Sequence, residues 1–248
     1  MELNLQGKTA IVTGGSLGIG RAVDEALARE GVRVAIVARS KGKLEEVAKE
    51  LTHTTGTEVI AVAADVSNTE QVEAAVAQAA QHFGGIDILV NGAAHPGGLV
   101  RSEIQHASPE GLLEDINIKV VGYMRFAKAA AAHMRTGGYG RIINIGGLTG
   151  RGSKQLSGMR NVAICHLTKT LSDQLGPDGI TVNVIHPGVV ETPHIHELYE
   201  KEAKLQGLTP EQVEQNYAKA TPIRRVLQVE EIADVVLFLA SPLSLIHI

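Results

Sequence analysis

Thr13-Gly14-Gly15-Ser16-Leu17-Gly18-Ile19-Gly20 follows the apolar run "TAIV" and leads into the amphipathic stretch "IGRAVDEALARE". Glycines allow a tight turn and a close backbone approach to a pyrophosphate, whose charge is favoured at the positive end of a helix. A glycine-rich octapeptide alone says little. Between the first strand and first helix of a βαβ unit it reads as a dinucleotide-binding turn. Gly14, Ser16, Leu17, Gly18, Ile19 and Gly20 are therefore the candidate phosphate-binding residues.

The flanking sequence supports that setting. Val- and Ile-rich runs, "TAIVTG", "VRVAIVA", "EVIAVAAD", "DILVNG", "RIINIGG" and "ITVNVIHPG", alternate with helical patterns. One of these, "PEGLLEDINIKVVGYMRFAKAAAAHM", has the periodicity of a single long helix. The alternation specifies an α/β fold, a doubly wound, Rossmann-like parallel sheet with helices on both faces. No linker or repeat divides the chain, so residues 1–248 are expected to form one dinucleotide-binding domain. The polar region at about 194–222 breaks the rhythm with two helical stretches split around Pro210, and reads as a lid or substrate loop. After "FLA" only eight residues remain, and Leu243 to Ile248 resemble a translated sequencing-adapter end. Six strands are therefore expected, with the seventh missing.

Composition narrows the functional classes. With 44% hydrophobic and 20% charged residues the chain matches ordinary globular proteins, which argues against disorder. A net charge of −4 with dispersed Lys and Arg supplies no basic face for nucleic acid. No apolar run reaches the roughly 18 residues of a membrane span, and the start lacks signal-peptide character. Cys165 is the only cysteine, which fits a cytoplasmic location.

The second strand ends "VAIVARSKGK". An NAD site usually carries a carboxylate here for the ribose 2′-hydroxyl, whereas Arg accommodates a 2′-phosphate. Ala38 followed by Arg39 and Ser40 points to NADP(H).

With "AADVSN", "DILVNGAA", Asn117 in "INIKVVG", "RIINIGG" and "GITVNVIHPGVVET", the chain resembles the short-chain dehydrogenase/reductase family over nearly its whole length. The resemblance implies that Asp65 and Val66 flank the adenine and that Asn91 and Gly92 hold the fourth strand end and approach the ribose. It also implies that Pro187, Gly188, Val190 and Thr192 contact the nicotinamide. Family members are commonly dimers or tetramers packed through the helices that would here contain residues 109–135 and 157–175, so a homodimer or homotetramer is expected.

The family's chemistry uses Asn, Ser, Tyr and Lys, with Tyr exchanging the proton and Lys lowering its pKa. Asn117 matches the Asn, and Gly147 stands where the Ser belongs. Counting back from "HLTKTLSDQL" puts Ser157 at the Tyr and Asn161 at the Lys. Counting forward from "IINIGG" gives Arg160 and Ile164 instead. On either count the acid is absent, and no Tyr in the chain has Lys four residues later. General acid–base catalysis contributes about 10²- to 10⁴-fold, so turnover needs a substitute. His95, at the end of the fourth strand, is the first candidate, followed by His186, with Ser157 and Asn161 as possible hydrogen-bonding groups to a substrate oxygen. His194, His196 and Glu197 suit a metal poorly beside Pro193, and no metal is expected. The leading reading is an oxidoreductase moving hydride between NADP(H) and a small carbonyl or alcohol by a non-standard proton route. The rival is a non-catalytic NADP(H)-binding sensor or partner subunit.

Overall fold

Burial on both faces makes the apolar runs strands, and the amphipathic stretches between them pack as helices. The computed structural model describes residues 2–151 and 154–245. In chain order the elements are β1 (Thr9–Thr13), α1 (Gly18–Arg29), β2 (Arg33–Ala38), α2 (Lys41–Thr55), β3 (Val59–Ala63), α3 (Thr69–Phe83) and β4 (Ile88–Asn91). They continue with α4 (Pro109–Ile116), α5 (Gly122–Gly137), β5 (Gly140–Ile145), α6 (Gly158–Leu175) and β6 (Ile180–Ile185). The last are α7 (Pro193–Gln206), α8 (Pro210–Ala220) and α9 (Val229–Ala240).

All strand pairs are parallel, in the order β3-β2-β1-β4-β5-β6. Successive side chains of β1 serve opposite cores. Ile11 packs with Leu89, Phe126 and Ile142 on one face, and Val12 with Leu27, Ile36 and Val236 on the other. The strand order reverses between β1 and β4, and in open α/β sheets ligands bind at the carboxyl ends of the strands beside such a point. The glycine-rich turn, the loop after β4 and the loop after β5 all lie at those ends.

Among the described residues the sheet has six strands; residues 241–245 form none, and residues 246–248 lie outside the described residues. In the region from 194 to 222, α7 and α8 pack on each other through Tyr199, Ala203 and Val213, apart from the two main cores. No helix among the described residues is long and apolar enough to cross a membrane.

The expected single helix from 109 to 134 is not continuous. It is α4, a π-helical turn over Asn117–Val121, and α5. Such turns are frequent at functional sites, and this one faces the end of β5.

Candidate active site

Gly14 has φ +79, and a Cβ there would lie 3.0 Å from the Ala93 nitrogen, so the turn demands glycine. A Cβ on Gly20 would strike the Gly14 carbonyl, which is why the helix can start so close beneath the turn. Leu17 and Ser16 stand above it, Leu17 being exposed and Ser16 half-buried. Thr192 closes over the same turn: its Cγ2 lies 3.3 Å from where a Cβ on Gly18 would be. The Thr192 hydroxyl also caps α7 by accepting from the Ile195 N–H. Val190 bridges to Leu227, and the Pro187 carbonyl accepts from the Leu148 N–H at 3.2 Å, which ties the Pro187–Gly188 turn to the loop after β5.

Arg39 and Ser40 are exposed at the end of β2. Asp65 accepts from the hydroxyl and N–H of Ser67 at 2.6 and 2.8 Å. That hydroxyl, more than the nearby charge of Arg39, holds its carboxyl below the usual range. Val66 is buried, and its carbonyl accepts from Arg125 at 3.2 Å. The turn, Arg39, Asp65 and Gly92 thus line one side of the sheet's carboxyl end, an arrangement that fits a dinucleotide.

Asn91 sits inside the sheet at the end of β4. It is fully buried, and its Nδ2 donates to Asn144 Oδ1 at 3.0 Å. Asn144 donates in turn to Thr168 Oγ1 at 2.9 Å, so the pair braces β4, β5 and α6. Gly92 takes the surface position, with its N–H donating to Thr13 Oγ1 at 3.0 Å.

The larger correction concerns Asn117. Its Oδ1 accepts from Arg125 Nη2 at 2.9 Å, and Arg125 also reaches Thr69 and Val66. The side chain therefore points away from the end of β5. The residue of this π turn that reaches the end of β5 is Lys119.

Lys119 is 4% exposed. Its Nζ donates to the Gly146 carbonyl at 3.0 Å and to Asn161 Oδ1 at 2.9 Å, 6.0 Å from the Tyr123 ring centre. Asn161 Nδ2 donates to Thr149 Oγ1 at 2.7 Å. Burial pushes the Lys119 ammonium down to about 7, helped by the charge of Arg160 and opposed by Asp115. Those two form a buried ion pair, Arg160 Nη1 with Asp115 Oδ1, and Arg160 Nη1 also donates to the His95 carbonyl at 3.1 Å. Sequence reasoning passed over Lys119 and Thr149. The available signal was a lone cation inside the apolar run "NIKVV", since a buried Lys needs partners.

The other candidates divide. Ser157 precedes α6 and is buried, its Cβ standing close to where a side chain on Gly98 would begin, so it is packed rather than presented. His95 is exposed, and its Nδ1 lies 3.0 Å from the Pro96 carbonyl; its own carbonyl, not its ring, joins the cluster. His186 receives the Gly147 N–H on Nδ1 at 3.0 Å and sets Nε2 3.0 Å from Cys165 Sγ. Burial lowers its pKa. His196 pairs with Glu191 at 2.7 Å and His194 with Glu197 at 3.8 Å; no metal-holding group of His, Cys, Asp and Glu occurs among the described residues.

The chain is similar to known reductases over nearly its whole length. Residues 14–246 match the family described as enoyl-(acyl carrier protein) reductase. The short-chain reductase protein NovJ of Streptomyces niveus is 36% identical over 245 residues, 96% of this chain and 89% of its own length. Among solved structures, L-sorbose reductase from Gluconobacter frateurii complexed with NADPH and L-sorbose superposes with a TM-score of 0.93 at 32% identity, covering 98% of this chain and 93% of its own. NADPH-dependent reductase BacG of Bacillus subtilis is 31% identical over 238 residues, 94% of this chain and 91% of its own length.

Proposed function

The chain belongs to the short-chain dehydrogenase/reductase family, and we propose that it is an NADP(H)-dependent oxidoreductase acting on a small carbonyl or alcohol substrate by a non-standard proton route. The observation that carries this reading is the juxtaposition of a dinucleotide turn with a buried, hydrogen-bonded Lys119–Asn161 pair at the same end of the sheet. A buried ammonium beside the end of β5 gives such a site a group able to move a proton, which a protein that only senses the cofactor does not need.

NADP(H), when bound, supplies or accepts hydride. The rest falls to this chain's own residues. Gly14, Gly18 and Gly20 let the backbone N–H groups of the turn meet the pyrophosphate, with Ser16, Leu17 and Ile19 beside it. Arg39 and Ser40 meet the 2′-phosphate, Asp65 and Val66 border the adenine, and Gly92 lines the ribose. Pro187, Gly188, Val190 and Thr192 border the nicotinamide. Helices α7 and α8 lie beyond Thr192 and act as the substrate lid of a single dinucleotide-binding domain. Exposed Met124 on α5 and Met159 and Val162 on α6 suit the packing of a second copy in a homodimer or homotetramer.

The test has two arms. Calorimetric titration is expected to give tighter binding of NADPH than of NADH, and NADPH consumption is expected with at least one member of a panel of ketones, aldehydes and keto-sugars. Equal affinities would remove the cofactor assignment. Binding without consumption across the panel would favour the sensor.

A further inference from the structure

The family resemblance places an Asn on the helix before α5 and a Lys at position 161. The structure holds the same two residue types in exchanged places, Lys119 on the π turn and Asn161 on α6, 2.9 Å apart. The exchange keeps a buried ammonium beside the end of β5 while the Tyr it would have tuned is missing.

We propose that Lys119 is itself the proton donor and acceptor to the substrate oxygen, held in place by Asn161 and the Gly146 carbonyl. This rests on the oxidoreductase reading above. A lysine ammonium carries three hydrogens. Two are engaged, by Gly146 O and Asn161 Oδ1, and among the described residues the third has no acceptor.

During reduction the carbonyl carbon gains a hydride with its electron pair. The C=O π pair takes the Lys119 proton to form the O–H bond, leaving a neutral amine and oxidised cofactor, and water then reprotonates the amine. Alcohol oxidation runs the same transfers backwards. A donor that titrates close to neutrality is matched to this task, since it releases and regains the proton with little driving force either way. An ordinary surface lysine, near 10.4, is not.

The charged and titratable groups facing Lys119 are Asp115 on α4, Tyr123 on α5, Arg160 on α6 and His186 after β6. Tyr123 is fully buried, its hydroxyl donates to the Ile145 carbonyl at 3.0 Å, and burial raises its pKa, so it does not substitute for the missing Tyr. Asp115 and Arg160 are committed to each other. His186 is the one rival, and its pKa is displaced to the acid side.

The experiment compares wild type with Lys119→Met, Lys119→Arg, Lys119→Ala and His186→Asn, with Lys169→Met on the exposed face of α6 as control. It reads cofactor affinity by calorimetry, the titration of lysine ammonium resonances by NMR on ¹⁵N-labelled cofactor-free protein, and reduction rates against pH. One lysine is expected to titrate near neutrality and to vanish from the spectrum in Lys119→Met. That variant should lose at least about 10²-fold in turnover while binding NADPH as wild type does. Lys119→Arg should be as impaired, because guanidinium does not release its proton at these pH values. Small alkylammonium ions should partly rescue Lys119→Ala in order of their acidity. The wild-type rate of reduction should fall as pH rises through about 7, with that limb surviving in His186→Asn. Lys119→Met keeping more than about a tenth of wild-type turnover, or no lysine titrating below the ordinary range, overturns this assignment and leaves the oxidoreductase reading standing. Wild-type protein that binds NADPH and turns over nothing overturns both.

Discussion

Asn161 Nδ2 stands 2.8 Å from the point that a Cβ on residue 147 would occupy. The amide is pinned there from both ends, by Lys119 on its oxygen and Thr149 on its nitrogen. Gly147 is thus the counterpart of Asn161: the serine that the family resemblance implies at 147 and the asparagine at 161 compete for one space. Gly147→Ser is therefore expected to lower turnover rather than supply a missing catalytic hydroxyl, with an overpacking cost of about 1–3 kcal/mol. Steady-state kinetics and thermal melting check this. A Gly147→Ser variant more active than wild type would show that Asn161 is not held as described.

The same competition governs any attempt to restore the family's pair. Ser157→Tyr with Asn161→Lys brings a second ammonium against Lys119 in a buried pocket, where two unit charges 4 Å apart repel by about 4 kcal/mol at an effective dielectric of about 20. The double variant is expected to melt lower and to work no better than wild type. Adding Lys119→Asn removes the repulsion and should recover stability. Activity raised by the double variant alone would contradict the exchange of roles between 119 and 161.

Much of this was legible in the sequence. The glycine-rich turn, the six apolar runs and the Arg39 position carry local signals, since a βαβ turn needs its glycines and a strand buried on both faces needs Val and Ile. The site was harder to read because apolar periodicity continues unbroken from Pro109 to Met134. It does not report the π turn at Asn117–Val121, and so it does not say which residue of "NIKVV" faces inward. The family motif in "INIKVVG" points to Asn117, whereas the backbone presents Lys119. Ser157 and Asn161, equivalent by spacing, differ by what surrounds them: Ser157 is packed near Gly98, and Asn161 opposes Lys119.

At the cofactor end, Arg39 is exposed at the tip of β2, free to meet a 2′-phosphate. Arg39→Asp is expected to weaken NADPH binding by at least about tenfold, or 1.4 kcal/mol, and to leave NADH binding equal or improved. Titration calorimetry with both cofactors reads it. Unchanged discrimination would move the 2′-phosphate contact elsewhere.

Asp24 on α1 lies fully buried beneath Gly15, and neither carboxylate oxygen has a hydrogen-bond partner among the described residues. Burial raises its pKa well above the ordinary value of 3.8, against the pull of Arg21. Between the unfolded and folded pKa values the folded state holds a proton that the unfolded state has lost. This residue therefore costs stability as pH rises above about 4, and the cost grows until pH passes the raised folded-state value. Asp24→Ala is expected to raise stability at pH 7 by roughly 1–3 kcal/mol, or several degrees in Tm, with a gain that shrinks as pH falls toward 4. Denaturant unfolding across that range checks it. A variant less stable at pH 7 would mean that the carboxyl has a stabilising partner.

Hydride transfer is expected of this chain even though no Tyr in it is followed by Lys four residues later. The most direct test uses NADPH deuterated at the transferable position, incubated with a carbonyl panel and followed by mass spectrometry of the products. The expected result is deuterium on the former carbonyl carbon of at least one product alcohol, formed at a rate that collapses in Lys119→Met. Bound NADPH that transfers no label to any carbonyl would contradict the account.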